Sequence, residues 1–156
     1  MFTEFNPYDV IKYKLRNGFC RYIGGGSSRE VFDLGNGYVI KIAKNKAGIA
    51  QNKAEYRISE YDGDYIFARV IQEFNDCESI IMRKAKKVKN ISRVYEYFGV
   101  DSKEEFNRCY EIRRIKNEYN LVFGDLNRKS SWGIIDGNMV IIDYGFTHKV
   151  QKKYYK

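Results

Sequence analysis

The sequence is poor in histidine, proline and cysteine, and these shortages exclude several kinds of site. His148 is the only histidine, so a His/Cys metal centre is nearly excluded. A Ser-His-Asp or Cys-His catalytic set is excluded too, unless His148 itself acts as the base. The three cysteines, Cys20, Cys77 and Cys109, are an odd number without Cys-x-x-Cys spacing, which fits reduced structural thiols. A single proline and no Pro/Ser-rich linker predict one domain over residues 1–156.

Long apolar runs are also missing. No run approaches the roughly 18 residues that a membrane span needs. The first ten residues, Met1 to Val10, are acidic and aromatic, so they do not resemble a signal peptide. Hydrophobic residues nevertheless make up 44% of the chain, which is enough for a packed core. We therefore expect a folded protein that stays in a cytoplasm.

Basic residues are in excess, with a formal net charge of +8. Such a charge attracts polyanions, either nucleic acid or an acidic protein. The alternative is a lysine-rich surface that only keeps the protein soluble, and the spread of basic residues along the chain favours it. The densest cluster, a candidate surface for a protein partner, consists of Arg83, Lys84, Lys86, Lys87 and Lys89. The 14 tyrosines could stack on bases, although most tyrosines at this density are half-buried.

The hydrophobic pattern predicts an α+β fold. A glycine-serine turn and an Asn-Gly hairpin separate the first three strands, and Asn75-Asp76 joins the next two. We predict strands at 19–23, 30–34, 38–43, 65–74 and 79–82, and one helix at 47–61. Helices at 90–99 and 102–119 follow, and then a short hairpin at 133–142. The first lobe should span about residues 19–83 and the second about 84–156.

Three groups of residues could carry chemistry. A glycine-rich turn between two strands, at 24–28, lets backbone N–H groups approach phosphate oxygens, although a plain hairpin explains it equally well. A strand follows this turn, so it is not a Rossmann fingerprint, and Gly-Lys-Ser/Thr of a Walker A loop is absent. Lys41 lies between apolar residues of the third strand, where a buried ammonium needs a partner. Glu55 on the following helix could supply this partner, with Glu60 as the fallback. Alternatively, Lys41 on its strand and Glu55 on its helix could each face solvent.

Two aspartates form the third group. Asp125 and Asp143 each end a short β segment, and a predicted hairpin separates them. One carboxylate could orient an acceptor hydroxyl and take its proton, while the other could bind magnesium, which prefers oxygen ligands. Aspartates are common in turns, so only the pair is informative.

The ordered set resembles the protein-kinase superfamily, including aminoglycoside phosphotransferases and RIO kinases. Gly24-x-Gly26-x-x-Arg29-x-Val31 is similar to the glycine-rich loop, Val39-Ile40-Lys41 to the lysine strand, Gly124-Asp125-Leu126 to the catalytic loop, and Asp143-Tyr144-Gly145 to Asp-Phe-Gly. Gly-Ser-Ser-Arg-x-Val and Ser-Ser-Trp-Gly further resemble short kinase-like proteins of bacteria and their phages, which would place the protein in a host cytoplasm if a phage encodes it.

The resemblance implies a kinase-like fold with a five-stranded antiparallel first lobe, one αC-type helix and a reduced second lobe. It also implies that ATP and Mg²⁺ are bound. Lys41 and Asp125 would be catalytic, and Asp143 with Ser130 or Ser131 would hold the metal. The implied nucleotide contacts are Gly24, Gly25, Gly26, Ser27, Ser28, Val31, Lys41, Glu55 and Met82.

Departures from the family pattern leave three functions open. Arg29 stands where the third glycine usually is, and serine replaces the metal-binding asparagine. The sequence ends eleven residues after Gly145, so the acceptor should be small or held by another protein. The candidates are a minimal ATP-dependent phosphotransferase, a pseudokinase-like interaction protein such as a phage or bacterial anti-defence factor, and a nucleic-acid-binding protein.

Overall fold

A computed structural model describes residues 6–122 and 124–155. Its first lobe contains a helix, five strands and a second helix; its second lobe contains four helices, two 3₁₀ turns and three short strands. In chain order the elements are α1 (Pro7–Arg16), β1 (Arg21–Gly25), β2 (Arg29–Asp33), β3 (Tyr38–Ala43), α2 (Lys46–Tyr61), β4 (Val70–Phe74), β5 (Ser79–Arg83), β6 (Lys86–Lys87), α3 (Ile91–Tyr97), α4 (Lys103–Arg108), α5 (Tyr110–Tyr119), the turns Asp125–Asn127 and Lys129–Ser131, β7 (Trp132–Ile135), β8 (Asn138–Ile141) and α6 (His148–Tyr154).

The first lobe is an antiparallel sheet in the order β1-β2-β3-β5-β4. In its ladder Val31 pairs with Lys41, and Lys41 pairs with Ile80 on β5. α2 follows β3 directly. This arrangement confirms the predicted α+β fold, with five antiparallel strands and one helix after the third.

The two faces of this sheet are covered differently because side chains alternate along β3. Lys41 faces α2, whereas Ile40 packs with Tyr8 of α1. Tyr8 stacks on Phe74 with ring centroids 4.4 Å apart, and its hydroxyl lies 2.9 Å from Ser79 Oγ. α1 was not predicted from the sequence. It buries the apolar outer face of the sheet.

The second lobe has its core around Trp132, which is 1% exposed and packs edge-on against Phe98 and Phe106. The predicted helix over 102–119 is wrong in one respect: it breaks at Cys109, whose φ and ψ are −56° and 130°. In one continuous helix Phe106 and Ile112 would point about 120° apart. The break turns α5 so that both side chains are fully buried.

β8 is tied to the segment that leaves α2. Ile141 donates its N–H to Ile66 O at 2.7 Å and accepts from Ala68 N at 2.8 Å. Ile142 N donates to Ser131 O at 2.7 Å. These bonds fix the residue that follows, Asp143, between the two lobes. Within the residues described, no helix has the length and apolar character to cross a membrane.

Candidate functional site

Four charged side chains from both lobes form one cluster with the Glu55 carboxylate at its centre; the other three are Arg29, Lys41 and Asp143. Lys41 Nζ donates to both carboxylate oxygens, at 2.9 and 3.0 Å. Arg29 also contacts both, with Nη1 2.9 Å from Oε2 and Nη2 donating to Oε1 at 3.0 Å. Arg29 Nη2 then reaches Asp143 Oδ1 at 2.9 Å. The backbone N–H of Tyr144 donates to Glu55 Oε1 at 3.2 Å. Arg29 thus joins the Lys41–Glu55 pair to the Asp143 carboxylate that follows the closing hairpin.

Burial makes these charges depend on each other. Glu55 is fully buried, and Arg29 and Lys41 are 8% and 6% exposed. Burial alone would raise the pKa of Glu55, but the charges and hydrogen bonds of Arg29 and Lys41 lower it to about 2. Burial lowers the pKa of Lys41, and Glu55 opposes that shift. Burial would also lower the pKa of Arg29, but Glu55 and Asp143 raise it. The opposite charges of the cluster therefore favour the ionised forms of Glu55 and Arg29.

Two glycines, Gly48 and Gly145, let α2 pack closely against Ser28 and against the Asp-Tyr-Gly segment. A Cβ on Gly145 would lie 2.6 Å from Gln51 O, and a Cβ on Gly48 would lie 2.1 Å from Ser28 O. Glycine is therefore required at both positions by close backbone packing. Gly145 is the glycine of the Asp-Tyr-Gly motif, so this motif packs directly against α2.

The glycine-rich turn behaves differently. A Cβ on Gly24 or Gly26 would meet nothing within 4 Å, and neither residue has a positive φ. Neither packing nor backbone conformation therefore requires glycine there. Gly25 is different, because its Cβ would lie 2.9 Å from Arg29 O. The open backbone at Gly24 and Gly26 leaves room for a ligand to approach.

The turn is held at its other end by the second lobe. Ser28 Oγ and Tyr155 Oη form a short hydrogen bond, and Gln51 Nε2 donates to the same Tyr155 oxygen at 2.7 Å. Ser27 O accepts from Asn45 Nδ2 at 3.1 Å. α6 was not predicted from the sequence, and it brings Tyr155 to the turn.

Asp125 begins a 3₁₀ turn after Gly124, whose φ is +98°. The turn is fixed by Leu126, which is 1% exposed and whose carbonyl accepts from Trp132 Nε1 at 2.8 Å. Burial, together with the negative charge of Asp143, raises the pKa of Asp125 to about 6, against the lowering effect of Arg128. The carboxylate of Asp143 is thus close enough to Asp125 to affect its ionisation. An Asp125 carboxylate with this pKa accepts a proton more readily near neutral pH than an ordinary aspartate.

The predicted metal ligands do not form a magnesium site in this arrangement. Asp143 Oδ1 holds the guanidinium of Arg29, Ser130 is exposed, and Ser131 is buried with its carbonyl on Ile142 N. The side chain of Asn127 is oriented toward Asn107, because its Nδ2 donates to Asn107 Oδ1 at 2.9 Å. Over 6–122 and 124–155, no cluster of three or more His, Cys, Asp or Glu side chains could hold a metal.

The other predicted nucleotide contacts lie on the same sheet. Val31 is half-buried opposite Lys41, and Met82 is 1% exposed on β5, where it pairs with Val39. Their contact with a nucleotide stays a prediction.

The basic run divides into two parts. Arg83 pairs with Asp136 at 2.8 Å, and Lys84 pairs with Asp33 at 2.6 Å. A groove of about 520 Å³ between β6, β7 and α3 is lined by the other three lysines, Lys86, Lys87 and Lys89, and by Arg93 and Tyr97. Only this second part is thus available as a continuous basic surface.

Arg29 is the main functional residue that the sequence interpretation missed. It was noted only as a departure from the glycine pattern, although it is the first residue of β2. Asn52, which accepts from Arg29 Nη1 at 3.1 Å, was missed as well. An arginine directly after a turn made of small residues is the signal that the sequence offers.

No protein-family profile and no curated protein sequence matches the chain. Solved structures do match. One is the aminoglycoside phosphotransferase APH(2″)-IIa in a ternary complex with streptomycin and ATP. The match has a TM-score of 0.52 at 11% sequence identity, and it covers 92% of this chain and 73% of that one. At this identity the likeness concerns the fold. The protein therefore has a protein-kinase-like fold with a reduced second lobe.

Proposed function

We propose that the protein binds ATP between its lobes and transfers the γ-phosphoryl group to a hydroxyl acceptor. The observation that carries this proposal is the buried cluster in which Lys41 pairs with Glu55 and Arg29 joins Glu55 to Asp143, next to a turn whose glycines are open to a ligand. A kinase-like fold supports it further.

Each residue has a role that follows from its contacts. Lys41 uses its three N–H groups on Glu55 and on Ile142 O, which accepts at 2.6 Å. A phosphate oxygen would replace the Ile142 carbonyl as the third acceptor, while Glu55 keeps the ammonium in place. The open backbone at Gly24 would approach the remaining phosphate oxygens, whereas the N–H of Gly26 already donates to Arg29 O at 3.0 Å.

Asp125 would act on the acceptor. Its carboxylate would accept the hydroxyl proton as the acceptor oxygen attacks the γ-phosphorus and the bond to the β-phosphate oxygen breaks, releasing ADP. Its side chain is only 17% exposed. The structurally similar APH(2″)-IIa binds streptomycin together with ATP, so aminoglycosides are the first acceptors to test.

Nucleotide binding is tested by thermal shift. ATP at about 100 times its Kd should stabilise the protein by about 2.7 kcal/mol, which for a domain of this size raises Tm by about 5–11 °C. Lys41→Met should lose this response, while Lys103→Met on α4 should keep it. An unchanged Tm at millimolar ATP would contradict the proposal.

Transfer is tested separately with γ-labelled ATP and a panel of aminoglycosides and hydroxyl-bearing peptides. We expect a labelled product with the wild-type protein and none with Asp125→Asn. Nucleotide binding without transfer to any acceptor would instead favour the pseudokinase-like alternative.

The basic groove favours that second candidate, binding of an acidic partner protein. Lys86, Lys87, Lys89 and Arg93 line it, with Glu96 as the one acidic residue among those lining it. The triple variant K86E/K87E/K89E should lose a partner that K103E/R108E/R113E retains. Salt-sensitive retention on RNA by the wild-type protein would point to nucleic acid instead.

A further inference from the structure

The guanidinium of Arg29 contacts the Asp143 carboxylate as a bound cation would. Nη2 donates to Asp143 Oδ1 at 2.9 Å and to Glu55 Oε1 at 3.0 Å. Nη1 donates to Asn52 Oδ1 at 3.1 Å and lies 2.9 Å from Glu55 Oε2. One positive group therefore bridges the two carboxylates of the cluster.

We propose that Arg29 takes the place of a divalent cation at Asp143, so that the nucleotide binds without requiring magnesium. The claim about nucleotide rests on the proposed function. The claim about Asp143 does not, because it concerns only which cation the carboxylate holds.

The charges of the cluster support this inference. Arg29 and Lys41 supply two positive charges, and Glu55 and Asp143 supply two negative ones. A divalent ion at Asp143, whose side chain is 54% exposed, would stand beside a guanidinium that is only 9% exposed, and the two positive groups would repel each other at short range. Metal and Arg29 therefore compete for this carboxylate.

The position of Arg29 is built into the structure and is not a chance surface pair. Its side chain is 9% exposed, and such a desolvated charge persists only with well-placed partners. Asn52 is fully buried, and its Nδ2 donates to Cys77 O at 2.9 Å, which orients its Oδ1 toward Arg29. The arginine is thus held from α2 as well as from Asp143.

The first experiment measures ATP binding calorimetrically in excess Mg²⁺ and in EDTA. For the wild-type protein we expect the two Kd values to agree within about threefold. Arg29→Gln removes the built-in cation. This variant should bind ATP at least about tenfold more tightly in Mg²⁺ than in EDTA, a difference of about 1.4 kcal/mol. Arg21→Gln, on exposed β1, should behave like the wild type. A wild-type Kd that depends more than threefold on Mg²⁺ would overturn the proposal.

The second experiment uses Mn²⁺ alone, without nucleotide, and follows the free ion by electron paramagnetic resonance. The wild-type protein and Asp143→Asn should bind the same amount of Mn²⁺, because Asp143 of the wild-type protein should hold no ion. Arg29→Gln, checked for folding by circular dichroism, should bind one ion, and R29Q/D143N should lose it. Wild-type Mn²⁺ binding that disappears in D143N would refute the inference. Should ATP bind under neither condition, the proposed function fails, while the Mn²⁺ comparison still decides the role of Arg29.

Discussion

Replacing Glu55 by glutamine tests whether the charge cluster holds the two lobes together. The Glu55 carboxylate accepts from Arg29, Lys41 and the backbone N–H of Tyr144 and is fully buried. In the variant, the amide NH₂ group would face the N–H groups of Arg29 or Lys41, so donors would oppose donors. Breaking a buried ion pair from one side typically costs about 3–5 kcal/mol. For a domain of this size that loss lowers Tm by about 6–20 °C.

Urea unfolding followed by far-ultraviolet circular dichroism measures this loss. Glu60→Gln is the matched control, because Glu60 is an exposed residue of the same helix, and its change should stay within about 0.5 kcal/mol. A loss below about 1 kcal/mol for E55Q, with an unchanged m-value, would refute the reasoning. A second test is the double variant K41M/E55Q, which should be less destabilised than the sum of its single variants, since Lys41 no longer lies buried beside an amide.

The pH dependence of the wild-type protein should show the same contribution. The pKa of Glu55 is lowered from its ordinary value of 4.5 to about 2 in the folded state. The folded protein therefore binds this proton less readily than the unfolded chain. The contribution is complete above about pH 4.5 and is lost as pH falls toward 2. The stability difference between wild type and E55Q should shrink across that window.

Three further variants test other contacts. The pKa of Asp125 is raised to about 6, so its contribution to stability is complete below about pH 4 and is lost as pH rises through 6. Urea unfolding at pH 4–7 should therefore show a free energy of unfolding that falls with pH, and Asp125→Asn should remove this fall. The same fall in the variant would contradict the prediction. Gly145→Ala should destabilise the fold by about 1–3 kcal/mol through its clash with Gln51 O, and a neutral result in thermal unfolding would show that α2 can shift away. Tyr155→Phe removes the hydroxyl that bonds Ser28 and Gln51; it should cost about 1 kcal/mol and speed proteolysis near the glycine turn, and equal cleavage rates would argue against this contact.

The first lobe could be predicted from the sequence because local signals define it. Asn36-Gly37 and Asn75-Asp76 mark its hairpins, and alternation along β3 separates Lys41 from Ile40. In the structure Asn75, Asp76 and Cys77 all have positive φ, so the second hairpin uses three unusual backbone conformations. Side-chain period and turn chemistry act over a few residues, and such features are readable in one sequence.

The missed features depend on contacts between distant parts of the chain. α1 is stabilised by Tyr8 on Phe74, 66 positions away, and α6 by Tyr155 on Ser28, 127 positions away. Arg29 reaches Asp143 across 114 positions. None of these pairings has a local pattern. In the sequence Arg29 is therefore only a departure from a glycine motif, although its side chain joins the carboxylates of both lobes.

The same residues that would bind the nucleotide also stabilise the fold, and this affects how any variant must be interpreted. Losing activity in Lys41→Met or E55Q could reflect a missing phosphate contact or a loosened lobe interface, because both residues belong to the buried cluster. Gly24 separates the two effects. A Cβ there meets nothing within 4 Å, so Gly24→Val should leave the free energy of unfolding nearly unchanged while a bulky side chain obstructs the ligand. Loss of ATP binding in a fully stable Gly24→Val protein would locate the nucleotide at the turn, and retained binding would place it elsewhere.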